Sequence, residues 1–138
     1  MTSTNGNGVV GLVLVSHSAS IAQGLAELVG QVAGPSVAIV TAAGGPGNTL
    51  GTDGGRVLEA LRRADSGAGA VVLVDLGSSL LSVRAALEEL DAEEAERIVL
   101  ADSPLVEGAI AAGVIASTGA SLADVVAAAE EARGARKL

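Results

Sequence analysis

The sequence of 138 residues has no Phe, Trp, Tyr or Cys, and a single Met, a single His and a single Lys. Each absence removes a class of chemistry. Without a thiol there are no disulfides, no thiolate nucleophile and no cysteine-based metal site. Without an aromatic ring there is no platform on which a nucleobase or sugar stacks. The lone lysine, Lys137, stands next to the C-terminal residue, which argues against a lysine Schiff base and a P-loop lysine. Positive charge is scarce: 8 basic residues face 16 acidic ones, for a net charge of −8. That balance speaks against nucleic acid and anionic membrane as partners, because both call for clustered Lys and Arg. Its simplest role is to keep the protein in solution. Long apolar runs are missing too, since residues 109–116 fall well short of the roughly 20 a spanning helix needs. The first eight residues carry no positive charge, so no secretory signal is expected there and the localisation expected is cytoplasmic.

What remains is aliphatic. Apolar residues make up 49% of the chain and charged ones 17%, enough for one domain with a core of Ala, Val, Leu and Ile. Residues 1–8 are polar and rich in Gly and Asn, and are expected to be a disordered extension. Four short apolar runs, at residues 9–15, 36–41, 70–75 and 97–101, read as strands buried on both faces. Helical patterns separate them. Ile21, Leu25, Leu28, Val29 and Val32 recur at helical spacing, with Ser18 or Ser20 as a cap. Gly34 and Pro35 end that helix, and residues 42–47 form a loop after the second strand. Val57, Leu58 and Leu61 then mark an inward face over residues 52–64. Leu80, Val83, Leu87 and Leu90 follow a cap at Ser78 or Ser79. Residues 93–96 are acidic and exposed. Asp102 and Ser103 precede Pro104, a cap followed by proline at the first helical position. The helix after it, to about Ser117, is apolar nearly all round apart from Glu107, as in a central or interface helix. Ser121 and Asp124 open a last amphipathic helix ending near Arg133. The pattern predicts an α/β fold: one domain over residues 9–133, with a tail at 134–138. Its open parallel sheet has four strands in the order 2-1-3-4, with helices on both faces.

In such a sheet, ligands bind beyond the carboxyl ends of the strands, where strand order reverses. The only imidazole, His17, falls on that rim, as do Asp75, Asp102 and several hydroxyls. With strands 1 and 3 adjacent, His17 and Asp75 come side by side. A carboxylate that accepts from one ring nitrogen sets the tautomer and leaves the other nitrogen as a nucleophile. The helices after His17 and Asp75 aim N–H groups at the same place, and the small residues Gly77, Ser78 and Ser79 let an anion approach. The set suits a phosphoryl group accepted on His17. Other readings are a His that merely packs or caps, and an Asp75 that only caps its helix. Gly6 to Gly11 matches G-x-G-x-x-G but precedes a strand, so the dinucleotide fingerprint fails. No metal-ligand spacing is present, and no G-x-S-x-G supports a hydrolase triad of Ser16, Ser18, Ser78 or Ser79 with His17 and Asp75.

Four blocks carry a family resemblance: Val13-Leu-Val-Ser-His-Ser18, Gly51-Thr-Asp53, Val74-Asp-Leu-Gly-Ser-Ser-Leu-Leu-Ser82 and Ser103-Pro-Leu-Val-Glu-Gly-Ala109. In this order they resemble the phosphotransferase subunit of phosphoenolpyruvate-dependent dihydroxyacetone kinases, whose first domain has the mannose-family IIA fold. The resemblance implies that His17 is phosphorylated, on Nε2, with Asp75 as its orienting carboxylate. Gly51, Thr52, Gly77, Ser78 and Ser79 match positions near the phosphoryl group. The implied donor is phospho-HPr, and the implied acceptor is ADP held on the kinase's nucleotide-binding subunit. A homodimer is implied as well, and no cofactor. Since the chain stops at Leu138, with none of the HPr-like and enzyme-I-like domains some family members append, separate donor proteins are expected. Two alternatives stand beside this one: a IIA component of a mannose-type sugar transporter, and a non-catalytic regulatory module binding at the same rim.

Overall fold

A strand buried on both faces needs apolar side chains in both phases of its alternation, and the first strand has them. In the computed structural model, which describes residues 8–45 and 49–138, β1 (Gly11–Ser16) is buried throughout. Leu12 and Leu14 enter one core, Val13 and Val15 another. The strands β2 (Ile39–Ala43), β3 (Ala70–Val74) and β4 (Ile98–Leu100) join it in one parallel sheet, ordered β2-β1-β3-β4. This is the expected order. The chain leaves β1 for the neighbour on one side and later returns to the neighbour on the other, so the switch point lies at the carboxyl end of β1.

The helices among the described residues are α1 (Ala19–Ala33), α2 (Gly54–Ala64), α3 (Gly77–Glu88), α4 (Ala92–Arg97), α5 (Leu105–Ser117) and α6 (Leu122–Glu131). Leu25 and Val29 of α1, Ala109 and Ala112 of α5, and Val125 of α6 pack on Leu12 and Leu14. Val57 and Leu61 of α2 and Val83 of α3 cover Val13 and Val15 on the opposite face. No helix among the described residues is long and apolar enough to cross a membrane.

Several local expectations shift. The second strand runs later than residues 36–41, because its register with β1, from Leu12↔Ile39 to Ser16↔Ala43, is set by pairing rather than by composition. On α1 the buried face is Ala22, Leu25, Val29 and Ala33, while Ile21, Leu28 and Val32 are half exposed along one flank. The alanines face inward because they let the helix sit close to the sheet. The acidic stretch 93–96 belongs to α4, where Asp91 and Glu94 form a capping box. Arg62 pairs with Glu94 and Arg97 with Asp65. Pro104 is the N-cap of α5 rather than its first residue. The extension expected at residues 1–8 lies, apart from Gly8, outside the described residues, as do Pro46 and Gly47 of the expected loop.

Candidate functional site

The sheet order decides the site. β1 ends at Ser16 and β3 at Val74, and Val15 pairs with Val74. By that register Asp75 stands level with Ser16, and His17, one residue further along, emerges beside the carboxylate on the rim. Ring Nδ1 of His17 lies 3.0 Å from Oδ1 of Asp75. The backbone N–H of His17 donates to Oδ2 at 2.9 Å, so one residue grips both carboxylate oxygens.

Three further donors converge on Asp75. The Ser16 hydroxyl donates to Oδ2 at 2.9 Å, the Ser79 hydroxyl to Oδ1 at 2.8 Å, and the Leu76 N–H to Oδ1 at 2.7 Å. Burial pulls the carboxyl upward, but the His17 N–H, the Ser79 hydroxyl, the His17 ring and the Ser16 hydroxyl outweigh it and hold Asp75 at about 2. Asp75 is therefore a carboxylate at every physiological pH. As an acceptor only, it places the ring proton on Nδ1. Nε2 keeps its lone pair, and the His17 side chain is 24% exposed. The Ser78 hydroxyl sits 2.6 Å from Nε2 and is its donor in this tautomer.

The two serines expected to cap α3 do not cap it. The N-cap is Leu76, with no side-chain cap bond, and both serines lie inside the first turn. Ser78 meets Nε2, and Ser79 contacts Nδ1 at 3.2 Å as well as Asp75. Gly77 opens α3, and its N–H belongs to the first turn, where backbone donors have no helical partner. Gly51 reaches the site through its backbone, donating to the His17 carbonyl at 2.9 Å from a φ of 135°. That conformation favours glycine. The Thr52 hydroxyl lies 2.6 Å from that of Ser82 on α3. Sequence reasoning gave Ser16 no role beyond a hydrolase triad that no G-x-S-x-G supports. The available signal was its place as the polar residue continuing the Leu12 and Leu14 phase of β1.

Two cavities border the rim. One of about 480 Å³ lies beside Asp75, between the ends of β3 and β4, lined by Gly77, Leu80, Arg84 and Asp102 among others. A larger one, about 710 Å³, follows the outer edge of β2 between α1 and α2 and includes neither His17 nor Asp75. Asp75 lines the smaller cavity, and His17 lines neither. Among the described residues no three His, Asp or Glu side chains cluster in a way that could hold a metal ion.

The family model EIIA-man, described as the PTS system fructose IIA component, matches residues 11–126. The chain is 40% identical to the phosphoryl donor subunit DhaM of the PEP-dependent dihydroxyacetone kinase of Providencia stuartii, over 94% of its own length and 28% of that protein's. It therefore spans little more than a quarter of that relative. A shorter relative, the phosphoryl donor subunit DhaM of the PEP-dependent dihydroxyacetone kinase 2 of Listeria innocua, is 36% identical, with 77% of this chain and 85% of that protein covered. Among solved structures, the protein of unknown function EF1359 superposes with a TM-score of 0.85 at 31% identity, covering 94% of this chain and 98% of that one.

Proposed function

This chain belongs to the EIIA-man family, with DhaM phosphoryl donor subunits among its relatives, and from that premise we propose that it is the phosphoryl carrier of a phosphoenolpyruvate-dependent dihydroxyacetone kinase, acting through His17. One observation carries the reading: the Asp75 carboxylate holds Nδ1 at 3.0 Å and leaves Nε2 to the exposed Ser78 hydroxyl. The donor is phospho-HPr. Nε2 attacks the phosphorus of the donor's phosphohistidine, the new P–N bond forms, and the donor imidazole leaves with its electron pair. The attacking ring becomes cationic, and Asp75 stabilises that charge through the Nδ1 proton. The Ser78 hydroxyl, which donates to Nε2 at rest, turns to the phosphoryl oxygens. The backbone N–H groups of Gly77 and Ser78 at the start of α3 favour the same anion, with Thr52 completing its surroundings, while Gly51 and Ser79 act one step back, through the His17 carbonyl and the Asp75 carboxylate. In the second step an oxygen of the terminal phosphate of ADP, held on the kinase's nucleotide-binding subunit, attacks phosphorus, and Nε2 leaves as the neutral ring. This chain's part in the reaction calls for no cofactor of its own, and its place is the cytoplasm.

The homodimer expected from the resemblance would cover α1 and α5, which pack together through Gly113 and Val29. Leu28 and Val32 on one and Val106 and Val114 on the other are 42–50% exposed. Incubation with phosphoenolpyruvate, enzyme I and HPr tests the carrier function. An acid-labile phosphoprotein should form and be absent in His17→Ala; a His17→Ala protein that still takes label would overturn the assignment. The family description as a fructose IIA component also supports a sugar-transporter IIA. Transfer to a IIB protein, with none to the ADP-bearing subunit, would decide for that reading. Binding without any covalent label would indicate a regulatory module.

A further inference from the structure

Among the described residues only two polar side chains are fully buried, Ser16 and Ser79, both at 0% exposure. Both hydroxyls donate to Asp75, one to each carboxylate oxygen. A buried hydroxyl weakens an aliphatic core unless it is bonded, and Ser16 continues the β1 phase that Leu12 and Leu14 fill with apolar side chains. A fold built for stability alone would place an apolar residue there.

The orientation of the Ser16 hydroxyl is determined. Its oxygen accepts from the Ser18 N–H at 3.1 Å, and its proton points to Oδ2 at 2.9 Å. Oδ2 is thus held from two sides, by Ser16 and by the His17 N–H. Oδ1 is held by Leu76, Ser79 and the ring. With both oxygens pinned, the carboxylate cannot rotate about its own axis, and Oδ1 stays in line with Nδ1.

We infer that Ser16, seconded by Ser79, is a positioning residue for phosphoryl transfer: it locks the Asp75 carboxylate so that the proton of His17 stays on Nδ1 and the lone pair on Nε2. This rests on the carrier function for its consequence, but the state of the ring is measurable without any transfer. Removing the hydroxyl leaves Oδ2 with one donor and the Ser18 N–H without its acceptor.

The test compares Ser16→Ala and Ser16→Thr with the wild-type chain. The first readout is the ¹⁵N spectrum of the single His with the ring neutral. Wild type and Ser16→Thr should show one tautomer, protonated on Nδ1, and Ser16→Ala a mixture of both. The second is the rate of labelling by phospho-HPr, expected to fall about tenfold in Ser16→Ala, as when a group orienting a reactive imidazole is lost, and to recover in Ser16→Thr. A folded Ser16→Ala protein with a single tautomer and the wild-type rate would overturn the inference. So would equal impairment in both variants, which would make Ser16 a packing residue. A wild type that takes no label would refute the carrier function alone, and the ring spectra would then decide the positioning role by themselves.

Discussion

Asp75→Asn separates the electrostatic part of the site from its packing. In the folded protein the carboxyl falls from 3.8 to about 2. At 1.36 kcal/mol per unit, that shift corresponds to at most about 2.4 kcal/mol of stability at pH 7. Water reaches the rim, so about 2 kcal/mol is the working figure. Because the folded value is the depressed one, this contribution is complete above about pH 5. It is lost as pH falls through 3.8 towards 2, where the folded carboxyl also takes up a proton. Asparagine cannot ionise, so it lacks the pH-dependent part altogether. Its amide also brings a second penalty. Whichever way it turns, its NH₂ faces a backbone N–H, that of His17 on one side or that of Leu76 on the other. A backbone donor left unpaired costs about 1–3 kcal/mol, and this part does not vary with pH. The stability gap between wild type and variant should therefore shrink by about 1.5–2 kcal/mol between pH 7 and pH 2–2.5. Asp65, also held below its ordinary value by the Gly67 N–H and Arg97 against the opposing effect of burial, titrates in both proteins and cancels. With no Trp or Tyr in the chain, urea unfolding must be followed by far-UV circular dichroism. A gap equal at both pH values within about 0.5 kcal/mol would refute the claim that the five donors hold Asp75 ionised.

Two more predictions address the fold and the assembly. A Cβ on Gly11 would collide with the backbone carbonyl of Ala64, which has no freedom to yield, so Gly11→Ala should cost about 1–3 kcal/mol in urea unfolding; a neutral result would mean that β1 and the end of α2 are less closely packed. A carboxylate at Val114, 42% exposed on α5, should convert a dimer to a monomer in sedimentation without changing the far-UV spectrum. A wild type that sediments as a monomer would remove the homodimer.

Much of this protein is legible along the chain. The apolar runs around Val13, Val72 and Val99 mark strands because each carries apolar residues in both phases. Asp75 is visible because it follows such a run directly, and His17 because only Ser16 separates it from one, so both must stand on the rim. The losses have a common cause. Ile21, Leu28 and Val32 match the helical period as well as Leu25 and Val29 do, and only the neighbours of α1 choose between the two flanks. Ser78 and Ser79 satisfy the statistics of a cap, yet the nearby imidazole and carboxylate compete for their hydroxyls and win, leaving Leu76 at the cap position. The α4 capping box was written in Asp91 and Glu94, but one short turn has little periodicity to announce it.

The sequence alone determined the longer elements, the aliphatic core and the identity of the one side chain able to carry a phosphoryl group as phosphohistidine, because periodicity, composition and a single imidazole are local properties. Tertiary structure decided how Asp75, 58 residues away, is gripped: Oδ1 by the His17 ring and Oδ2 by the His17 backbone N–H. It also decided that Ser16 and Ser79 clamp that carboxylate from within the fold. Those contacts depend on strand register and side-chain packing, which arise from pairing between distant segments and which no local pattern encodes.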